Sequence, residues 1–248
     1  MQAVKTLLIG LVSALILWAA NPALAKSPVV VELFTSQGCA SCLEANGLVQ
    51  ELGDQSDLIA LTFAVDYWDY LGWSDSFAKP EFTDRQKAYM RRLGAGQVYT
   101  PQVVVGGGVQ AAGTKREKVE QLIRSAKRKP VVSPRVSLAR NNQVNVGIGR
   151  VPKGGAEVWL ISYEPEPQNV EVKRGENRGK TVTYAHAVRE LVRLGSWRGK
   201  ARTFKQPKAT DDGLERLVLV QGTRGGKILA AQKLKSQVPL KLDSAKNP

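Results

Sequence analysis

Residues 29–52 read VVVELFTSQGCASCLEANGLVQEL, and this stretch says most about the fold. Val29–Phe34 is an apolar run with the length and β-branched composition of a buried strand. Beyond Cys39 and Cys42, apolar residues recur at helical spacing as far as Leu52, which predicts a helix from about Cys42 to Leu52. The two cysteines therefore lie between a strand and the start of a helix.

Cys39 and Cys42 are the only cysteines of the chain, and their position suits redox chemistry. Unpaired amides and the positive end of the helix dipole favour the thiolate over the thiol. We expect an exposed Cys39 to be the catalytic nucleophile and Cys42 to resolve the mixed disulfide, with no cofactor. A bridge that closes so short a loop removes little entropy from the unfolded chain, so redox or metal chemistry is favoured over a purely structural disulfide.

Residues 1–25 have the pattern of a secretory signal peptide. Lys5 supplies the positive start, residues 7–20 the apolar middle, and Ala23-Leu24-Ala25 the small-residue cleavage site. The apolar run is short for a membrane-spanning helix, which needs about 20 residues. We therefore expect a mature chain that begins near Lys26, keeps no transmembrane segment and is periplasmic or secreted. In an oxidising compartment the cysteine pair is expected to rest as a disulfide.

The basic character of the chain belongs to its C-terminal half. The formal net charge is +14; residues 26–130 hold 13 Lys and Arg against 12 Asp and Glu, whereas residues 131–248 hold 22 against 10. Such a field favours an anionic partner such as a surface of the cell envelope, alongside protein thiols and disulfides, but it fits a merely solvated basic surface equally well. The basic residues are scattered and form no nucleic-acid-binding motif, so no nucleic-acid partner is expected.

The rest of the first half alternates between strands and helices. Leu58–Asp66 is almost continuously apolar, as in a strand buried on both faces. Pro80–Leu93 has helical spacing and is followed by a glycine. Val103–Val105 and Val109–Ala112 flank three glycines and predict a hairpin. A last amphipathic helix is predicted from Thr114.

Beyond a basic run that ends at Pro130, the apolar period changes to two. Short alternating runs separated by Gly and Pro predict a β-sandwich-like, basic domain over residues 131–240, followed by a tail at 241–248. The segment Thr181–Leu194 fits a helix or strands, and strands are preferred. The predicted domains are thus residues 26–130 and 131–240.

The order of elements in the first half resembles the thioredoxin fold. The resemblance covers residues 29–129 and includes Thr100-Pro101 directly before a strand. It implies an α/β thioredoxin-like domain, and the smaller β-rich, sandwich-like domain predicted from the alternating pattern would follow it. It also implies a cis peptide bond at Pro101 and a substrate contact through Thr100.

A closer resemblance is to a group of secreted bacterial thioredoxin-like proteins that carry a domain of unknown function. It rests on VELFTSQGC at 31–39, VDYWDYLGW at 65–73 and YTPQ at 99–102, and extends to Gly195-Ser-Trp197. This resemblance spans nearly the whole mature chain, but fold does not imply function.

The sequence departs from thioredoxins close to the cysteines. Gly38 replaces the aromatic residue before the first cysteine, and Leu33 replaces the buried acid six residues before it. Another carboxylate would have to handle protons, and Asp66, Glu44 and Glu32 are the candidates. Each of them also fits an ordinary polar position at the end of a strand or helix.

Two further candidate sites are the aromatic loop after the second strand and a metal site at the cysteine pair. Trp68 and Trp73 follow the second strand and either line a substrate groove or pack as core. Two thiolates at Cys39 and Cys42 suit Cu(I), but His186 is the only histidine, so a four-ligand zinc site is not expected within one chain. His186 itself fits a satisfied, half-buried position better than a ligand.

Three functions remain open from the sequence. The first is a thiol–disulfide oxidoreductase that uses Cys39 and Cys42. The second is a Cu(I)-binding or Cu(I)-delivery module built on the same pair. The third is a non-catalytic interaction protein of the envelope, in which the disulfide is fixed.

Overall fold

The computed structural model describes residues 27–129, 132–139, 141–208 and 213–234. The predicted signal peptide at 1–25 and the predicted tail at 241–248 lie outside these ranges. Within them, no helix has both the length and the apolar character needed to span a membrane.

The first sheet has four strands in the order β2-β1-β3-β4. Strand β1 (Val29–Thr35) pairs in parallel with β2 (Leu58–Ala64) and antiparallel with β3 (Gln102–Val105). Strand β4 (Val109–Ala112) returns along β3 after a tight turn. Gly106 and Gly107 in that turn have φ of +57° and +64°, a conformation that glycine adopts without steric cost.

Side chains of β1 alternate between the two faces of this sheet. Val31 and Leu33 face α1 (Cys42–Gly53) and α3 (Arg116–Arg128), where they join one buried cluster. Residues at even positions, such as Phe34, face α2 (Pro80–Leu93), whose Phe82 and Tyr89 are fully buried. A short 3₁₀ helix at Asp69–Leu71 lies between β2 and α2.

The second half of the chain consists of strands in three further sheets, in the orders β10-β7-β12-β13, β11-β6-β5 and β8-β9. Their bounds are β5 Val136–Ala139, β6 Gln143–Val146, β7 Ala156–Tyr163, β8 Gln168–Glu171, β9 Thr181–Tyr184, β10 Val188–Trp197, β11 Arg202–Lys205, β12 Glu215–Gly222 and β13 Ile228–Leu234.

The two halves share one hydrophobic core. Phe34 and Phe63 of the first sheet belong to the same buried cluster as Ile161 and Leu217 of the four-stranded second sheet. The main chain also joins them, since the amide of Thr62 in β2 donates to a carbonyl between β9 and β10 at 3.1 Å. The even face of the first sheet is therefore covered by α2 together with the second sheet.

The predicted fold class, an α/β thioredoxin-like domain followed by a smaller sandwich-like domain, is wrong. The described residues form thirteen strands in four small sheets and only three α-helices. The second half does not stand apart, because its largest sheet packs on the first and completes the core there. Hydrophobic periodicity identified the strands and α-helices of the first half correctly in type but contained no information about which sheets would share a core.

Several local predictions are confirmed. Helix α2 has the predicted bounds Pro80–Leu93, and α1 ends one residue beyond the predicted Leu52. The ambiguous segment 181–194 forms strands, as preferred. The domain boundary at 130 stays a prediction, since residues 130 and 131 are outside the described ranges.

Candidate functional site

Cys39 and Cys42 form a disulfide at the start of α1, with their Cα atoms 5.4 Å apart. The helix begins at Cys42, whose amide donates to the carbonyl of Cys39 at 3.1 Å. The hydroxyl of Ser41 lies 3.5 Å from the Cys39 sulfur. The predicted oxidised pair at a helix start is thus present.

The expected exposure of Cys39 is wrong. Both cysteines are only 1% exposed. A segment from the second half of the chain lies against residues 37–40. This segment, the cap loop, comprises residues 173–180 between β8 and β9.

Asn177 attaches the cap loop to the cysteine segment. Its side chain is fully buried, and its amide nitrogen donates to the carbonyls of Gln37 and Cys39, both at 2.9 Å. Nearby, a carboxylate oxygen of Glu176 accepts a hydrogen bond from the amide of Ala40 at 3.2 Å. Asn177, in the second half of the chain, thereby forms part of the surroundings of the disulfide in the first half.

A buried carboxylate holds the same segment from another side. Asp75 accepts hydrogen bonds from the amide of Gln37 at 2.8 Å and from the hydroxyl of Tyr184 at 2.7 Å. It also accepts one from the amide of Phe77 at 2.9 Å. Burial raises the pKa of Asp75, outweighing these hydrogen bonds, which favour the ionised form.

Sequence reasoning missed both Asp75 and Asn177. Asp75 lies between two serines and Asn177 within a run of charged residues and glycines, so each has the local pattern of an exposed loop. Only the position of the neighbouring chain segments gives these side chains buried partners. The run DYWDYLGW was a signal for the region around Asp75, but it did not identify the residue.

The peptide bond between Thr100 and Pro101 is cis, as expected. The indole nitrogen of Trp68 donates to the hydroxyl of Thr100 at 2.8 Å. Trp68 also borders Gly38, where an added Cβ would lie 3.6 Å from the Trp68 Cβ. Trp68, Thr100 and Pro101 thus lie together next to the cysteine segment, whereas their role in substrate binding stays a prediction.

Trp73 serves partly as core. Its indole nitrogen donates to the side-chain oxygen of Gln37 at 2.8 Å, and its ring packs against the cluster that contains Val182 and Tyr184. Both predicted tryptophans are half-buried. Trp73 therefore also fixes the segment that leads into Cys39.

Two of the three candidate proton carriers have partners away from the disulfide. Asp66 accepts a hydrogen bond from the hydroxyl of Thr83 at 2.6 Å, near the start of α2. Glu32 forms a fully buried ion pair with Arg85 at 2.7 Å. Glu44 is exposed on α1, two residues beyond Cys42. A proton-relay role for Asp66 or Glu44 stays a prediction.

Apart from the two cysteine sulfurs, the described residues provide few ligands for a metal ion. No group of three or more His, Cys, Asp or Glu side chains able to hold an ion occurs in the described part of the chain. His186 lies near Tyr163, with ring centroids 6.0 Å apart, and burial lowers its pKa. Binding of Cu(I) by a reduced Cys39–Cys42 pair remains untested.

Comparisons with known proteins identify a family but name no activity. A crystal structure of a protein from Agrobacterium tumefaciens, determined by a structural-genomics consortium, is 33% identical and superposes with a TM-score of 0.69. The match covers 86% of this chain and 96% of that one. No curated protein matches the chain. The family described as "Protein of unknown function (DUF1223)" matches residues 30–221.

The resemblance to proteins with a domain of unknown function is confirmed at that level, and neither match supports a thioredoxin assignment. The family match covers well over half of the 248 residues. The chain therefore belongs to the DUF1223 family.

Proposed function

We propose that this protein is an exported thiol–disulfide oxidoreductase whose reactive group is the Cys39–Cys42 disulfide. One observation supports this most: the only two cysteines form a bond at the start of α1, beside Trp68 and the cis peptide bond at Pro101. A disulfide spanning three positions contributes little as a staple, so its value to the protein lies in its chemistry. The disulfide, not the resemblance to thioredoxins, supports this function.

The exchange needs only thiols. A client thiolate attacks the sulfur of Cys39, the Cys39–Cys42 bond breaks, and Cys42 leaves as a thiolate. A second client thiolate then attacks the mixed disulfide, which yields a client disulfide and a reduced Cys39–Cys42 pair. The reverse sequence reduces a client disulfide, and the reduction potential of the pair decides between the two directions.

Access requires the cap loop to move, because the sulfurs are buried. Within the described residues, its side chains are bonded to residues 37–40 only through Asn177 and Glu176. Apart from Asn177, every residue from 173 to 180 is exposed. Displacement of the loop therefore breaks few contacts, which is typical of segments that open locally.

Trapping of a mixed disulfide tests the proposal. We expect Cys42→Ser, in which Cys39 is a free thiol, to form a covalent adduct with a disulfide-containing client such as scrambled ribonuclease. The Cys39 thiolate attacks the client disulfide, one client sulfur leaves as a thiolate, and the mixed disulfide accumulates because Cys42 is not there to resolve it. Cys39→Ser, in which the remaining thiol is the resolving one, is the matched control and should trap less. The potential of the wild-type pair, measured against glutathione, should lie above about −300 mV.

A fixed structural disulfide is the competing function, and the 1% exposure of each cysteine favours it. It predicts a potential below about −300 mV, resistance of the native protein to dithiothreitol and no trapped adduct. Those three results together would rule out the oxidoreductase. Export is tested separately by sequencing the N-terminus of the protein from a periplasmic fraction, which should begin near Lys26.

A further inference from the structure

A second concave site lies away from the disulfide, where the two halves of the chain meet. This site, the groove, has a volume of about 240 Å³. Its walls come from the start of β1, the β3–β4 turn, the last turns of α3 and the start of β13. Its apolar lining includes Val29, Val105, Val109, Leu122, Ala126 and Leu229.

The groove is open to solvent, although most of its lining is apolar. Val109 at its edge is 42% exposed, which is unusual for a large apolar side chain in a strand. Small-molecule sites are mostly apolar concavities with few polar groups, and the groove has this character. A water molecule in the liquid occupies ~30 Å³, so the groove has the volume of roughly eight waters. This is enough space for a short acyl chain.

The charge at the groove has one sign. Lys129 and Lys227 line it and are exposed. Among the described residues, no Asp or Glu lines the groove, and neither lysine has a carboxylate partner. The stem of Lys227 runs along Gly108, where an added Cβ would lie 3.2 Å from it. The two lysines would therefore attract the anionic end of an apolar ligand, and no carboxylate among the described lining residues would repel it.

We propose that the groove binds a free medium-chain carboxylate, with its acyl chain among the valines and leucines and its carboxylate between Lys129 and Lys227. The site is independent of the disulfide and of the proposed oxidoreductase function. A carboxylate suits the site because both cations that line the groove attract an anionic head. The acyl chain supplies most of the affinity through apolar burial.

Titration of the full chain with octanoate and decanoate, followed by calorimetry, tests this. Decanoate should bind more tightly by about fourfold per added methylene, until the groove is filled. Decanol should bind about fivefold more weakly than decanoate, because it lacks the charge. Binding should be saturable, with one ligand per chain, below the concentration at which the ligand forms micelles.

Matched variants locate the ligand. Ala126→Phe fills the groove and Lys227→Glu reverses one charge, and each should lower decanoate affinity at least fivefold. Lys205→Glu changes the net charge equally at an exposed position of β11 outside the groove, and Ile148→Trp changes an exposed apolar residue outside it. Both controls should bind as the wild type does.

Three results would overturn the proposal. They are non-saturable partitioning, equal affinity for decanoate and decylammonium, and loss of binding in the controls to the same extent as in the groove variants. The Cys39–Cys42 potential should be the same with and without decanoate, so failure here and failure of the oxidoreductase are distinguishable.

Discussion

The side-chain amide of Asn177 donates to the main-chain carbonyl of Cys39 at 2.9 Å, although the two residues are 138 positions apart. The same amide nitrogen serves the carbonyl of Gln37. A buried amide with two acceptors gives the exposed, charged cap loop a single strong anchor. Reactivity of the disulfide therefore depends on how firmly this anchor holds.

Asn177→Ala should accelerate reduction of the disulfide. The variant leaves two buried carbonyls without their donor, at a cost of about 1–3 kcal/mol in the closed state, so the loop opens more often. We expect reduction by dithiothreitol to be about tenfold faster, as measured by alkylation of the released thiols and mass spectrometry.

Arg178→Ala is the matched control for this variant. Arg178 follows Asn177 in the cap loop, but its side chain is exposed, so its removal should leave the rate unchanged. If Asn177→Ala were reduced at the wild-type rate, the cap loop would not limit access to the sulfurs.

Asp75 should make stability depend on pH in an unusual direction. Because burial raises its pKa in the folded state above the ordinary 3.8, the folded protein binds this proton more tightly than the unfolded chain does. This contribution is fully present below pH 3.8 and is lost as the pH rises through the raised folded-state pKa. Ionisation of Asp75 therefore destabilises the folded protein, because the three hydrogen bonds to its carboxylate only partly offset the effect of burial.

Asp75→Asn removes this titration. Unfolding by urea should show that the stability of the wild type relative to the variant increases as the pH falls from 7 towards 4. Other carboxylates titrate in both proteins and cancel in the difference. A difference that is flat over this range, or that decreases on acidification, would contradict the assigned environment of Asp75.

Local elements could be predicted from the sequence, whereas the surroundings of the cysteines could not. Helix α2 could be predicted because its apolar residues recur at helical spacing and Gly94, with φ of +69°, suits a helix end; both signals are local. The buried hydrogen bonds to the segment at Cys39 come from Asn177 and Asp75, which have ordinary loop neighbours. Likewise, the shared core depends on Ile161 and Leu217, whose alternating pattern predicts a strand but not its neighbour.

The ion pair between Glu32 and Arg85 should be among the most costly to break. It is buried between β1 and α2, and Tyr89 donates to Glu32 while it accepts from Arg85 at 3.1 Å. Although burial disfavours its charged form, the neighbouring Glu32 keeps the pKa of Arg85 above its usual range. Arg85→Leu leaves a buried carboxylate without its partner and should cost about 3–5 kcal/mol in unfolding free energy.

Two comparisons make this prediction specific. Arg85→Leu combined with Glu32→Leu should be less destabilised than Arg85→Leu alone, since no uncompensated charge remains. Arg116→Leu breaks the exposed pair with Glu51 and should leave stability nearly unchanged. Equal losses in Arg85→Leu and in the double variant would mean that packing, rather than the buried charge, determines the result.

Two glycines of α1 should respond in opposite ways to the same substitution. Gly47 is exposed in the middle of the helix, and an added Cβ would meet no atom within 4 Å. Gly47→Ala should therefore stabilise the protein by about 0.5–1 kcal/mol. At Gly53 the added Cβ would overlap the ring of His186, so Gly53→Ala should lose this gain and destabilise the protein.

A double-mutant cycle shows whether His186 is the cause. His186 has φ of +50°, a conformation that asparagine tolerates, so His186→Asn removes the ring without adding backbone strain. In the His186→Asn background, Gly53→Ala should destabilise less than it does in the wild type, while the gain from Gly47→Ala should be unchanged. Because His186 connects β9 to β10, this coupling would report directly on the contact between helix α1 and the second half of the chain. If Gly53→Ala costs the same in both backgrounds, that contact does not form as described.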